Sequence, residues 1–126
     1  MSSQQLRFTA EHEWVAAQGP DGSVRVGITD YAQKALGDIV YVQLPDVGAK
    51  FAAGDALGEV ESTKSVSDIY APIAGTVTAR NDALEEDPQI VNTSPLADGW
   101  LFEIEPDDVA DVAGLLDSEA YAKLTE

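Results

Sequence analysis

A mainly β fold, a sandwich or small barrel of short strands edged by a few short helices, is what this sequence predicts. Three observations lead there. Between residues 38 and 105, short apolar runs alternate with turn formers, and Pro45, Gly48, Gly54, Pro72, Gly75, Asn81, Pro88 and Pro95 punctuate the chain. That spacing belongs to a strand-rich domain. Val24, Val26 and Ile28 alternate with Arg25 and Gly27, the period-two pattern of a strand with one buried face. Finally, Gly37-Asp38-Ile39-Val40 is similar to Ala74-Gly75-Thr76-Val77, and Phe51-Ala52-Ala53-Gly54-Asp55-Ala56-Leu57 to Leu84-Glu85-Glu86-Asp87-Pro88-Gln89-Ile90. Two related β halves of this kind place the segment that joins them at one exposed end.

The elements follow in order. Residues 1–6 read as a loose tail and 14–17 as a strand. Gln18-Gly19-Pro20-Asp21-Gly22 reads as a turn, because Asp-Gly accepts the positive φ of a tight hairpin. Residues 24–28 form the next strand. A short helix runs from Asp30 to Gly37: Asp30 is placed to cap the first amides with Gln33 three residues on, and Gly37 suits the helix end. Alone it is too short to be stable, so it must pack on the sheet. Strands are predicted at 39–44, 56–61, 67–70, 75–80 and 101–104, with a shorter one at 90–91. Pro106-Asp107-Asp108 signals a helix start. Val109, Val112 and Leu116 continue with helical spacing, Gly114 breaks it, and Ser118 is placed to cap a last helix carrying Tyr121 and Leu124. Trp14 and Trp100 are the expected core anchors. The whole chain, residues 1–126, reads as a single domain with a C-terminal helical segment over 106–126.

Composition narrows the function. The 126 residues fit one domain with its own core, and 44% are hydrophobic, too many for a disordered chain. A net charge of -16 argues against nucleic acid, which needs clustered Lys and Arg, and against anionic membranes. No apolar run is long enough to span a bilayer. Met1-Ser2-Ser3-Gln4-Gln5-Leu6-Arg7 has neither the apolar core of a signal peptide nor an Arg-rich transit pattern, so a bacterial-type cytoplasmic location is expected, or an organelle matrix after trimming. Without cysteine there is no thiolate nucleophile or Cys-based metal site. His12 is the only histidine, which leaves Ser–His and Cys–His machinery unsupported and makes His12 a structural or surface residue before the first strand. Glu85-Glu86-Asp87 and Asp107-Asp108 lack the alternating spacing of a calcium loop, so no metal site is expected. Asn92-Thr93-Ser94 matches a glycosylation acceptor only formally.

The informative residue is Lys64. It stands in Glu61-Ser62-Thr63-Lys64-Ser65, flanked by strand-like residues, and the chain has three other lysines, Lys34, Lys50 and Lys123. A hairpin holding one amine among small polar neighbours suits attachment of a carried group better than it suits catalysis.

Around that lysine a resemblance accumulates. Glu11-His12-Glu13-Trp14-Val15, Gly27-Ile28-Thr29-Asp30-Tyr31-Ala32-Gln33, Leu36-Gly37-Asp38-Ile39-Val40, Leu44-Pro45, Val60-Glu61-Ser62-Thr63-Lys64-Ser65, Ser67-Asp68-Ile69-Tyr70-Ala71-Pro72, Val91-Asn92, Ser94-Pro95 and Gly99-Trp100-Leu101 occur in an order that resembles the glycine cleavage H-protein family from about Phe8 to Leu124. A biotin carrier typically has Met on both sides of its lysine, whereas this chain has Thr63 and Ser65. The resemblance implies a barrel-sandwich hybrid fold of the lipoyl/biotinyl kind, a monomer, and lipoate in amide linkage to Lys64. It implies a non-catalytic carrier of the aminomethyl group of glycine. The pyridoxal-phosphate glycine decarboxylase (P-protein) would load the arm, a folate-dependent aminomethyltransferase (T-protein) unload it, and dihydrolipoamide dehydrogenase (L-protein) reoxidise it. It further implies that Glu61 is read by lipoylating enzymes and that Glu13, Ser67 and Asp68 line a cleft for the loaded arm. Where some members carry a histidine in the short helix, this chain has Ala35 after Lys34. Other readings are a lipoate store or relay for other complexes, an unmodified acidic interaction module and, least supported, an enzyme.

Overall fold

The computed structural model describes residues 6–17, 23–108 and 110–125; the predicted turn at 18–22 and most of the predicted tail lie outside them. Among the described residues nine strands form two sheets. The larger contains β1 (Arg7–Phe8), β2 (Glu13–Ala17), β3 (Val24–Ile28), β5 (Lys50–Phe51), β8 (Gly75–Arg80) and β9 (Phe102–Pro106), in the order β1-β2-β3-β9-β8-β5. The smaller contains β4 (Ile39–Gln43), β6 (Ala56–Ser62) and β7 (Val66–Tyr70), in the order β4-β6-β7. Every pairing among them is antiparallel.

The core lies between the sheets because each contributes one apolar face. In the larger sheet, Val15, Val26 and Phe102 stand in one cross-strand row and Val24, Ile104 and Val77 in another, all buried. From the smaller sheet come Val42 and Val60, directly opposite each other, with Leu57 and Ile69. Ile73, Leu84, Val91 and Leu101 fill the ends. Directly opposed side chains on one sheet face are the pairs that stabilise it.

Trp14 is buried on the other side of β2 and donates from Nε1 to the Pro95 carbonyl at 2.8 Å. It lies flat over Gly27, where a Cβ would come within 2.6 Å of the indole ring. The glycine that alternates with the core residues of β3 is therefore a seat for tryptophan. Trp100, expected in the core, is only half buried. The Arg25 guanidinium sits 4.3 Å above its ring and pairs with Glu103 at 2.8 Å, so this ring closes the sheet's outer surface rather than its interior.

Among the described residues there are also five short helices: α1 (Asp30–Leu36), α2 (Ala83–Glu86), α3 (Ile90–Thr93), α4 (Ala110–Ala113) and α5 (Ser118–Leu124). Four sequence expectations are corrected. Residues 90–91, predicted as strand, open α3; the apolar pair is too short for periodicity to separate the two states. The cap of α1 is Thr29, not Asp30: its hydroxyl accepts the Ala32 amide, while Asp30 accepts from the Gln33 side chain. Asp117 rather than Ser118 caps α5, accepting the Ala120 amide at 2.8 Å. Pro106 ends β9 instead of beginning a helix. Leu116 then pairs with Phe8 through two backbone hydrogen bonds and returns the C-terminal segment to β1.

Candidate functional site

Lys64 occupies the tip of the β6–β7 hairpin and is exposed. The tip is rigidly built. The Ser62 amide donates to the Ser65 carbonyl at 2.8 Å, and the Ser62 hydroxyl accepts the Lys64 and Ser65 amides at 3.1 and 3.0 Å. The same hydroxyl donates to the Ser65 carbonyl at 3.1 Å. A serine that bonds the backbone two and three residues ahead fixes a turn without glycine. The Thr63 amide donates to the Asp38 carbonyl at 3.0 Å, tying the tip to the start of β4.

The lysine stem crosses the end of α1. Gly37 there has φ 89°, and a Cβ on it would meet Lys64 Cε at 3.3 Å. Glycine at this corner supplies both the left-handed φ and a flat surface. Asn92 of α3 holds the corner from beneath. Its Oδ1 accepts the Ile39 amide at 2.8 Å, and its Nδ2 donates to the Gly37 carbonyl at 3.0 Å and to Gln33 Oε1 at 2.9 Å. The formal glycosylation acceptor is thus a structural amide with three bonds. Among the described residues no ion pair includes Lys64.

A second feature lies at the other end of the same hairpin, where Tyr70 pairs with Ala56. A cleft of about 610 Å³ opens there, with Glu13, Tyr70, Pro72, Leu115, Leu116 and Leu124 among its lining. Glu13 is 2% exposed. Its Oε2 accepts the Tyr70 amide at 2.8 Å and its Oε1 accepts the Thr9 hydroxyl at 3.3 Å. Burial outweighs both bonds and pushes the Glu13 carboxyl up to about 7 from its ordinary 4.5, because a carboxylate loses hydration in this position. Asp68 joins the group through Tyr70, whose hydroxyl lies 3.5 Å from Asp68 Oδ2. The Asp68 charge, foremost, holds the Tyr70 phenol above its ordinary range.

Glu13 and Asp68 therefore meet on Tyr70, a residue sequence reasoning did not single out. Ser67 makes one bond, from its hydroxyl to the Asp68 carbonyl at 3.5 Å, and neighbouring strand residues point to opposite faces. Ser67 shares its row with buried Val60, and Asp68 shares its row with exposed Glu59. Glu61 is exposed on β6, directly opposite Val66 of β7 and Tyr41 of β4.

His12 is a joint between elements. It has φ 67°, stacks on Tyr31 at 4.6 Å between centroids and places Nδ1 2.8 Å from the Tyr121 hydroxyl. That hydroxyl is also 2.7 Å from Thr29 Oγ1, and the Tyr121 ring stacks on Phe8 at 4.7 Å. Helix α5 is thereby clamped to the cap of α1. Among the described residues no group of three His, Cys, Asp or Glu could hold a metal ion, and no helix is long and apolar enough to cross a membrane.

Comparison with known proteins gives the same direction from independent ground. The family model described as glycine cleavage H-protein matches residues 6–126. The glycine cleavage system H protein of Micrococcus luteus is 61% identical over 120 residues, covering 95% of this chain and 94% of the relative. That of Mycobacterium avium is 59% identical over 126 residues, with 96% and 95% covered. The crystal structure of a glycine cleavage system H protein from Mycobacterium marinum superposes with a TM-score of 0.87 at 45% identity, over 97% of both chains. With the family model matching nearly the whole chain and the solved fold superposing end to end, this chain belongs to the glycine cleavage H-protein family.

Proposed function

We propose that this protein carries the aminomethyl group of glycine on lipoate joined by an amide to Lys64, within the glycine cleavage system. The observation that carries the reading is the hairpin tip: one exposed amine, free of ion pairs among the described residues, on a backbone fixed by Ser62 and Asp38. Amide formation at such a site is simple. Lys64 Nζ attacks the acyl carbon of an activated carboxyl, the activating group leaves with its bonding electrons, and the amine proton passes to water. The lipoyl group, when bound, supplies a dithiolane disulfide that opens to accept the aminomethyl group and is closed again by oxidation. The chain's own residues do the rest by position.

Distance connects tip and cleft. Tyr70 lies six residues along the chain from Lys64, about 20 Å at ~3.3 Å per residue. Lysine plus a lipoyl chain reaches roughly 10–15 Å at about 1.5 Å per bond, so an arm folded back along the hairpin reaches Asp68, four residues from Lys64, at the rim of the Glu13 cleft. There Glu13 stands ready for a cation. Neutral for much of the time near pH 7, it ionises when an amine approaches, because the opposite charge favours the carboxylate. Asp68 and Tyr70 add polar contacts at the rim, whereas Ser67 stands in the inward row with Val60, on the opposite face of β7 from Asp68. Leu115, Leu116 and Leu124 give the cleft an apolar wall.

The partners of this reading are the glycine decarboxylase (P-protein), the aminomethyltransferase (T-protein), dihydrolipoamide dehydrogenase (L-protein) and a lipoylating enzyme, and the chain itself is a monomeric, non-catalytic carrier. The test is Lys64→Arg in a reconstituted glycine cleavage assay. The charge and fold persist and carrying is abolished; glycine cleavage at the normal rate by the variant would sink the proposal.

A further inference from the structure

The outer face of the smaller sheet holds a feature that carrying an arm does not use. Register places Tyr41 of β4, Glu61 of β6 and Val66 of β7 in one cross-strand row. Tyr41 is 54% exposed and Val66 56%. The next row on this face, Gln43, Glu59 and Asp68, is polar and exposed. A register shift between Ile39 and Tyr41 explains the apolar excess. The irregularity leaves both Val40 and Tyr41 exposed where strict alternation would leave one. A large aromatic and an aliphatic residue on either side of Glu61 on an open sheet face have the composition of a recognition patch.

Its position selects the occupant. Lys64 lies two residues beyond Val66, about 7 Å along the hairpin at ~3.3 Å per residue, and the bare lysine side chain extends only ~6 Å at about 1.5 Å per bond. An enzyme that works on Nζ itself must bring its active site within that short reach, and so must cover the Tyr41–Glu61–Val66 row. Enzymes that work on the far end of a loaded arm stand a further ~10 Å away and need not cover it. Among the described residues Glu59, Glu61 and Asp68 enter no ion pair, and the chain carries a net charge of -16. The counter-surface is therefore basic.

We infer that the Tyr41–Glu61–Val66 row is the docking surface for the enzyme that acylates Lys64, with Tyr41 inserted in an apolar pocket and Glu61 facing a basic rim. The inference rests on the carrier reading above and adds Tyr41 and Val66 to it. Because both are exposed, their replacement leaves the fold intact.

The test compares wild type, Tyr41→Ser and Val66→Ser as unmodified proteins, using a purified lipoate–protein ligase with lipoate and ATP. Each fully lipoylated product, confirmed by mass, is then reduced by dihydrolipoamide dehydrogenase with NADH. Tyr41→Ser is expected to raise the ligase KM at least 10-fold with kcat within twofold, Val66→Ser to raise it about 3-fold, and both lipoylated variants to be reduced at the wild-type rate. The wild-type KM rises with ionic strength. An unchanged KM for Tyr41→Ser overturns the inference. So does a parallel loss of reduction, which would make the row a general docking face. If the wild type accepts no lipoate on Lys64, the carrier reading itself falls, an outcome separate from a variant-specific failure.

Discussion

Glu13→Gln is the perturbation whose size follows most directly from the structure. Burial raises the folded-state Glu13 carboxyl from 4.5 to about 7, while in the unfolded chain it titrates near its ordinary value. Below pH 4.5 both states hold the proton and burial of this group costs nothing electrostatically. As pH rises from 4.5 toward 7 the unfolded chain releases the proton and the folded chain retains it, so stability falls with rising pH. Above 7 the penalty is constant at about 3 kcal/mol, from ~2.5 pH units at ~1.4 kcal/mol each. Glutamine keeps an oxygen for the Tyr70 amide and a donor for the Thr9 hydroxyl and never ionises. Urea unfolding of both proteins from pH 5 to pH 8 isolates the group, since the other carboxylates are shared. The wild type carries about 1 kcal/mol of this penalty at pH 5 and about 3 at pH 8. Glu13→Gln should therefore gain about 2 kcal/mol on the wild type over that interval. Parallel stability profiles for the two proteins would refute the assignment of a buried, proton-holding Glu13.

Three further outcomes follow from the same geometry. Asn92→Ala strands the Ile39 amide and the Gly37 carbonyl and should cost about 2–4 kcal/mol in denaturant unfolding, as part-buried groups lose their partners. Ser62→Ala removes the hydroxyl that gathers the Lys64 and Ser65 amides; it should cost only ~1 kcal/mol but speed amide exchange at Lys64 and Ser65 selectively, read by NMR. Gly27→Ala drives a methyl into the Trp14 ring and should lower stability by about 1–3 kcal/mol, with a red-shifted tryptophan emission.

Most of the β architecture was legible because it is written locally. Val24, Val26 and Ile28 alternate, and the predicted 75–80 strand matches Gly75–Arg80 residue for residue. Lys64 was legible for a related reason: its neighbours are too small and polar to belong anywhere but a turn. What escaped was what only tertiary contact decides. Ile90–Thr93 is helical because Val91 is needed in the core while Asn92 faces the Gly37 corner. The caps fell to Thr29 and Asp117, one residue ahead of the acid and the serine chosen from pattern, because capping depends on where the chain leaves extended geometry. Lys50–Phe51 is too short a strand to show a period. Of the candidate site, Glu13 sits one residue from His12 and nothing local distinguishes it from the other acids. Its burial under Tyr70 and beside Leu116 joins segments more than fifty residues apart. Tyr70 and Asn92 were missed as organisers for the same reason, although both lay within segments that carried the family resemblance.

Whether Lys64 bears the carried group is read from the intact mass of the protein purified from its native cells, followed by fragmentation of the peptide around Lys64. The expected result is a lipoyl increment located on Lys64 and on no other lysine. An unmodified Lys64 in cells whose other lipoyl proteins are loaded, or an increment residing on Lys34, Lys50 or Lys123, would contradict it.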